Sequence, residues 1–162
     1  MPNVVTSLRH IVAALLCVFA LGGCPLRHPP TVRMVDGKQH TSRYVSPGAY
    51  QHYLRYRIAM NRGHFQAAVQ ELQQALSFDA DSPYLHTQLA DLLARYKMYE
   101  EAHEHLAKVL ERRPGFPDAL ALQGKIFWRQ KKKRKAEASF RRCIRQNPRY
   151  ARCYLAQATL LQ

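Results

Sequence analysis

The residues of this chain that could do chemistry are four cysteines, eight histidines and a run of five bases. Their spacing excludes most of what those residue types can do. His103 and His105 lie two apart on a helical stretch and point to different faces, which makes a poor metal pair. The other histidines are scattered, and no Cys–His spacing matches a zinc site. There is no Gly-rich phosphate loop, and no Ser or Cys nucleophile stands beside a base motif. The expectation is a protein that is not an enzyme, with no metal, cofactor or small-molecule substrate. What remains is Cys24 behind an apolar run, the pair Cys143 and Cys153, and the bases Lys131, Lys132, Lys133, Arg134 and Lys135.

The elements that position these residues are written in a 34-residue step. That step aligns Ala68 with Ala102 and Ala136, and Leu72 with Leu106 and Phe140. It aligns Ala75, Val109 and Cys143, then Leu76, Leu110 and Ile144, and it puts Pro114 under Pro148. A fixed period of this length means stacked supersecondary units without a single closed core. Each unit reads as two helices and a tight turn. Tyr84 to Tyr96 carries Leu85, Leu89, Leu92 and Leu93 at helical spacing, and Tyr99 to Arg112 carries Ala102, Leu106, Val109 and Leu110. Ser82-Pro83 fits a helix start, and Arg113-Pro114-Gly115 a helix stop. The alanines belong where two helices cross closely and a larger side chain would push the axes apart.

This pattern resembles the tetratricopeptide repeat family over residues 49–150. The resemblance rests on the small residue of the second helix, the apolar residue four later and the helix-ending proline. The family's small residue in the first helix is matched by Ala90, Gly124 and Ala158, whereas the first unit has Tyr56. The family's usual Trp is replaced by His52, His86 and Leu120. The resemblance implies an all-α solenoid of three helix-turn-helix repeats, 49–82, 83–116 and 117–150. A capping helix at 151–162 would be the seventh helix. It also implies a concave face lined by the first helices, where a protein partner lies. The polar and aromatic residues there are Tyr53, Arg57, Thr87, Gln88, Asp91, Arg95, Lys125, Trp128 and Arg129, with Trp128 beside Arg95 and Arg129 as an anchor, or else packed on a neighbouring helix. The family's clamp for a C-terminal carboxylate is not matched, since Tyr53, Arg57, Gln88, Asp118 and Leu122 stand at its positions.

The front end reads differently. Arg9 and His10 precede the apolar run Ile11 to Leu21, too short for the roughly 20 residues of a membrane span and suited to a secretory signal at 1–23. Leu21-Gly22-Gly23-Cys24 resembles the bacterial lipobox, which implies that Cys24 is acylated and becomes the first mature residue. Pro25 follows it, with no Asp to suggest inner-membrane retention, so the expected location is the outer membrane facing the periplasm. An ordinary cleaved signal and an uncleaved anchor are the other readings. Residues 24–48 hold four prolines and no periodicity, and read as a flexible tether. In an oxidising compartment Cys143 and Cys153 could form a disulfide tying the cap to the third repeat. Two small buried thiols are the reading favoured over it.

Formal charge is +14, and it is concentrated. The first repeat has three bases against three acids and the second five against five, whereas the third has eleven against two. The run Lys131 to Lys135 falls on that repeat's inner turn. It reads either as a contact for an anion or as a solvated loop. Nucleic acid is not expected as a partner of an exported protein. The sequence therefore points to a lipid-anchored scaffold that binds an envelope protein and assists assembly of a membrane, secretion or pilus complex. The alternatives are a module for anionic lipid or glycan and an accessory subunit of a cell-wall or polysaccharide enzyme.

Overall fold

A computed structural model describes residues 31–35, 38–42 and 46–158. Cys24, the signal segment, the first part of the tether and the last four residues of the cap lie outside the described residues. The chain divides into two compact units, one ending at Tyr44 and the other spanning Val45–Gln162. In the first, β1 (Thr31–Val35) pairs antiparallel with β2 (Lys38–Ser42), Thr31 opposite Ser42 and Val35 opposite Lys38. Residues 31–35 and 38–42 of the expected flexible tether thus form a two-stranded ladder. The β-branched Thr31, Val32, Val35 and Thr41, with Asp36-Gly37 between the strands, are a hairpin pattern that the surrounding prolines obscured.

The second unit is all helix among its described residues. Its helices are α1 (Pro47–Asn61), α2 (Phe65–Phe78), α3 (Pro83–Arg95), α4 (Tyr99–Arg112), α5 (Pro117–Arg129), α6 (Lys133–Gln146) and α7 (Ala151–Ala158). Helix α1 opens at Pro47, so Pro47 and Gly48 belong to the first repeat and not to the tether. Prolines begin α1, α3 and α5, where their missing N–H is no loss.

The inner turns share one conformation. Gly63, Lys97 and Lys131 occupy the same column, with φ of 73°, 65° and 61°. Each is followed by an amide that reaches back five residues: His64 to Ala59, Met98 to Leu93 and Lys132 to Phe127. This is the left-handed helix stop with its six-to-one bond, for which glycine is the least strained residue.

At each hairpin crossing Ala68, Ala102 and Ala136 are fully buried, and Leu72, Leu106 and Phe140 fill the space one turn on. The opposing column trades volume with them. Ala90 stands in the second repeat where the third has Gly124, and a Cβ on Gly124 would lie 2.3 Å from the Phe140 ring. Tyr56 takes that column in the first repeat and is itself buried.

Between repeats, burial follows a second set of columns. Leu92, Ile126, Leu122 and Ala156 are buried, whereas Leu54 and Ile58, the residues of α1 in those columns, are exposed. Another such column pair holds Ala75 and Leu85, then Val109 and Ala119, then Cys143 and Cys153, all buried. Cys143 of α6 and Cys153 of α7 are joined by a disulfide, with Cα atoms 5.8 Å apart. The favoured expectation of two free thiols is thereby corrected. Position in the repeat makes the two residues partners, and burial alone did not reveal that.

Two outcomes are expected. Gly124→Ala should destabilise the protein by roughly 1–3 kcal/mol through overpacking, against a gain of roughly 1 kcal/mol in helix propensity, with Phe140→Leu restoring stability in the double variant. Denaturant titration of the three variants measures this. Cys153→Ser should lower stability by roughly 2–3 kcal/mol for so short a closed loop, and the wild-type chain should be two hydrogens lighter than its thiol form in intact mass measurement.

Candidate peptide groove

The first helices of the repeats stand in order and are bridged by side chains. Between α1 and α3, the Tyr53 and Tyr84 hydroxyls share a hydrogen bond of 2.7 Å, and the Tyr56 hydroxyl donates to Gln88 Oε1 at 3.4 Å. Arg129 of α5 donates to the Ala94 carbonyl of α3 at 3.3 Å. Arg152 of α7 donates to Asp118 of α5 at 3.0 Å, and Tyr150 donates to the same carboxylate. These links make one continuous face from α1, α3, α5 and α7.

On the first two repeats this face carries a connected polar and aromatic surface. The Tyr53 ring lies 5.6 Å from Tyr56 and 5.6 Å from Tyr84, and the Arg57 guanidinium donates to the Tyr53 hydroxyl at 3.3 Å. Asp91 accepts two bonds from Arg95, at 2.8 and 2.9 Å. Burial pushes the Tyr56 phenol up, and the Asp91 carboxylate adds to it. The Tyr84 phenol is pushed up to about 12, chiefly by burial and then by its bond with Tyr53. Both are therefore neutral hydroxyls at any physiological pH, able to donate and accept. Half of Tyr84 remains exposed, which leaves its ring edge open to a ligand.

The structure thus brings together Tyr53, Arg57, Gln88, Asp91 and Arg95 from the expected set and adds Tyr56 and Tyr84. Tyr84 was overlooked because it was read only as the first residue of a helix. The 34-residue step would have placed it beside Tyr50 and Asp118 on the same face. One expected member is corrected. Thr87 is buried, and its hydroxyl is turned back onto the Pro83 carbonyl at 2.6 Å. Of the two readings of Trp128, the structure shows the packed one, with the ring against Ala136, Phe140 and Ala156 and Lys133 over it. Lys125 is exposed on α5. Among the described residues no group of three or more His, Cys, Asp or Glu side chains could hold a metal.

A second concavity lies between α2, α3 and α4, about 380 Å³ in volume, with Val69, Leu89, Leu93, Met98 and His105 among its lining. Behind it the columns that lack the family's Trp hold paired side chains. His52 Nδ1 donates to Glu71 at 2.7 Å. In the next repeat His86 Nε2 donates to the Ala80 carbonyl at 2.9 Å, so its Nδ1 accepts from His105 Nδ1, also at 2.9 Å. Burial holds the His86 imidazole below its ordinary value. The Ala80 carbonyl acts in the opposite sense, and Lys108 reinforces the burial effect. Burial first, then His86 and Lys108, brings His105 down to about 4.

The helix pairs match the description of known repeats once this geometry is in view. The fold defines an α-solenoid of helical hairpins with a ligand-sized face along its first helices. Tetratricopeptide repeat models match residues 59–126 and 117–150, and the chain belongs to the tetratricopeptide repeat family. No curated protein matches it in sequence. Among solved structures, the first TPR domain of Spaghetti (RPAP3) bound to the HSP90 peptide SRMEEVD is similar, with 16% identity and a TM-score of 0.60. The match covers 72% of this chain and 96% of that one. The Sgt2 TPR domain from Aspergillus fumigatus is 17% identical with a TM-score of 0.64, over 70% of this chain and 77% of its own. YrrB, described as a TPR protein with an unusual peptide-binding site, is 22% identical with a TM-score of 0.61, over 68% and 57%. These likenesses carry the fold alone.

The lowered histidine pair gives a pH dependence with a definite sign. Between pH 6.5 and about 4 the unfolded chain takes up protons that the folded His105 refuses. Stability should therefore be constant above pH 6.5 on this account and fall as pH drops towards 4. His105→Gln should show a shallower loss in that window when denaturation midpoints are compared across pH.

Proposed function

We propose that this protein is a lipid-anchored adaptor of the bacterial cell envelope. It holds a segment of a partner protein against α1 and α3 and so assists assembly of a membrane, secretion or pilus complex. The observation that carries the binding half is the linked surface of Tyr53, Tyr56, Arg57, Tyr84, Gln88, Asp91 and Arg95. It offers rigid aromatic area with fixed donors and acceptors, the composition that anchors a peptide at low entropic cost. The peptide complex of Spaghetti and the peptide site of YrrB support a peptide as ligand. The ligand differs from a tail held by its carboxylate, since that clamp is absent here and Asp118 is engaged by Tyr150 and Arg152.

The anchoring half rests on Leu21-Gly22-Gly23-Cys24 at the end of an apolar run. Acyl chains on Cys24 would hold the protein at the outer membrane facing the periplasm, and the tether would set its reach. Confinement to one surface raises the effective concentration of a partner embedded in it.

Affinity capture of the full chain from gently solubilised envelopes tests the binding half, beside a Tyr53→Ala/Arg57→Ala variant of unchanged helicity. One defined envelope protein should be recovered and should be lost in the variant. Equal recovery from both would remove the groove from the account. Mass measurement of the mature N-terminus tests the anchor: an acylated Cys24 is expected, and a free thiol there would sink the envelope reading.

A further inference from the structure

The inner turn of the third repeat departs from local preference at several positions at once. Lys131 sits in the left-handed region, as Lys97 does in the second repeat, whereas Gly63 occupies it without strain in the first. Lys133, Arg134 and Lys135 fill the first turn of α6, where the positive end of the helix dipole repels them. The same turn holds Phe65, Gln66 and Ala67 in α2, and Tyr99, Glu100 and Glu101 in α4.

All five bases from Lys131 to Lys135 are exposed, and among the described residues none has an ion-pair partner. The two carboxylates of the repeat are already engaged, Glu137 by Arg141 at 2.6 Å and Asp118 by Arg152 at 3.0 Å. Two of the five bases lie over aromatic rings: Lys133 is 5.5 Å from the Trp128 centroid and Lys135 is 5.8 Å from that of Phe127. These rings hold two of the ammonium groups beside the turn. Concentrated violations of local rules mark functional sites more often than accidents of drift.

We propose that this turn is a docking surface for an anionic membrane, with five cationic side chains meeting phosphate-bearing lipid headgroups. Basic side chains near such a surface contribute additively, each by roughly fivefold in affinity. The choice of lipid over a nucleic acid rests on the envelope reading above. The docking itself does not need the anchor, because the turn lies in the compact unit Val45–Gln162. The contact would lay the third repeat on the membrane and leave the face on the first two repeats free for a partner.

Co-sedimentation of residues 45–162 with vesicles of phosphatidylglycerol and phosphatidylcholine in equal parts tests this, beside pure phosphatidylcholine. Binding should be confined to the anionic vesicles and should weaken steeply with salt. Replacing all five bases by Gln should weaken it by roughly a hundredfold or more. The same variant should melt at a higher temperature, since it removes charges the helix start disfavours, which excludes misfolding as the cause. Arg55→Gln/Arg62→Gln/Arg113→Gln removes charge elsewhere and should leave most of the binding. Equal loss per charge removed in the two variants would mean net charge alone is sensed, and would overturn the proposal. So would single-stranded RNA binding more tightly than the vesicles. Because the fragment lacks Cys24, failure here is separate from failure of the anchor.

Discussion

Each hairpin of this solenoid closes on a fully buried alanine, Ala68, Ala102 or Ala136, and the rest of the helical unit follows from that contact. A methyl at the crossing lets the two axes approach, and the approach sets the angle at which they diverge. The diverging gap must then be filled one turn later, which Leu72, Leu106 and Phe140 do. Where Phe140 is larger than its counterparts, the facing residue has shrunk to Gly124. Between the second and third repeats the crossing therefore keeps its volume although its residues differ, whereas the first repeat takes the larger Tyr56.

Repeating one hairpin geometry places every first helix on the same side. That is why α1, α3, α5 and α7 form a face without any one of them being specialised for it. The polar residues of α1 and α3 become a surface because the stack brings Tyr53 against Tyr84 and Tyr56 against Gln88. The third repeat has taken another course. Its face is closed by Trp128 packing inward and by Asp118 holding Tyr150 and Arg152, and its charge is gathered at the inner turn.

The ends of the stack are treated differently. At the far end a disulfide ties α7 to α6. A covalent tie is most useful where few side chains are available to hold an element. At the near end Leu54 and Ile58 keep the apolar character of an internal repeat and remain open.

Much of this was legible from spacing. Period, helix number, crossing alanines and the concentration of charge all depend on residues read one at a time against a 34-residue ruler. The hairpin at 31–42 was equally local, signalled by Asp36-Gly37 and its β-branched neighbours, and was hidden only by the prolines before it. What the sequence determined by itself was whatever a fixed step or a short-range preference specifies. What only the tertiary structure decided was which side chains meet across repeats and which turn inward. Trp128 and Thr87 lie on the expected helices yet do not serve the face, because rotation about a side-chain bond is settled by neighbours distant in sequence. Cys143 and Cys153 pair, and His86 meets His105, for the same reason: their contacts are made by helices stacking, and stacking is a property of the assembled repeats.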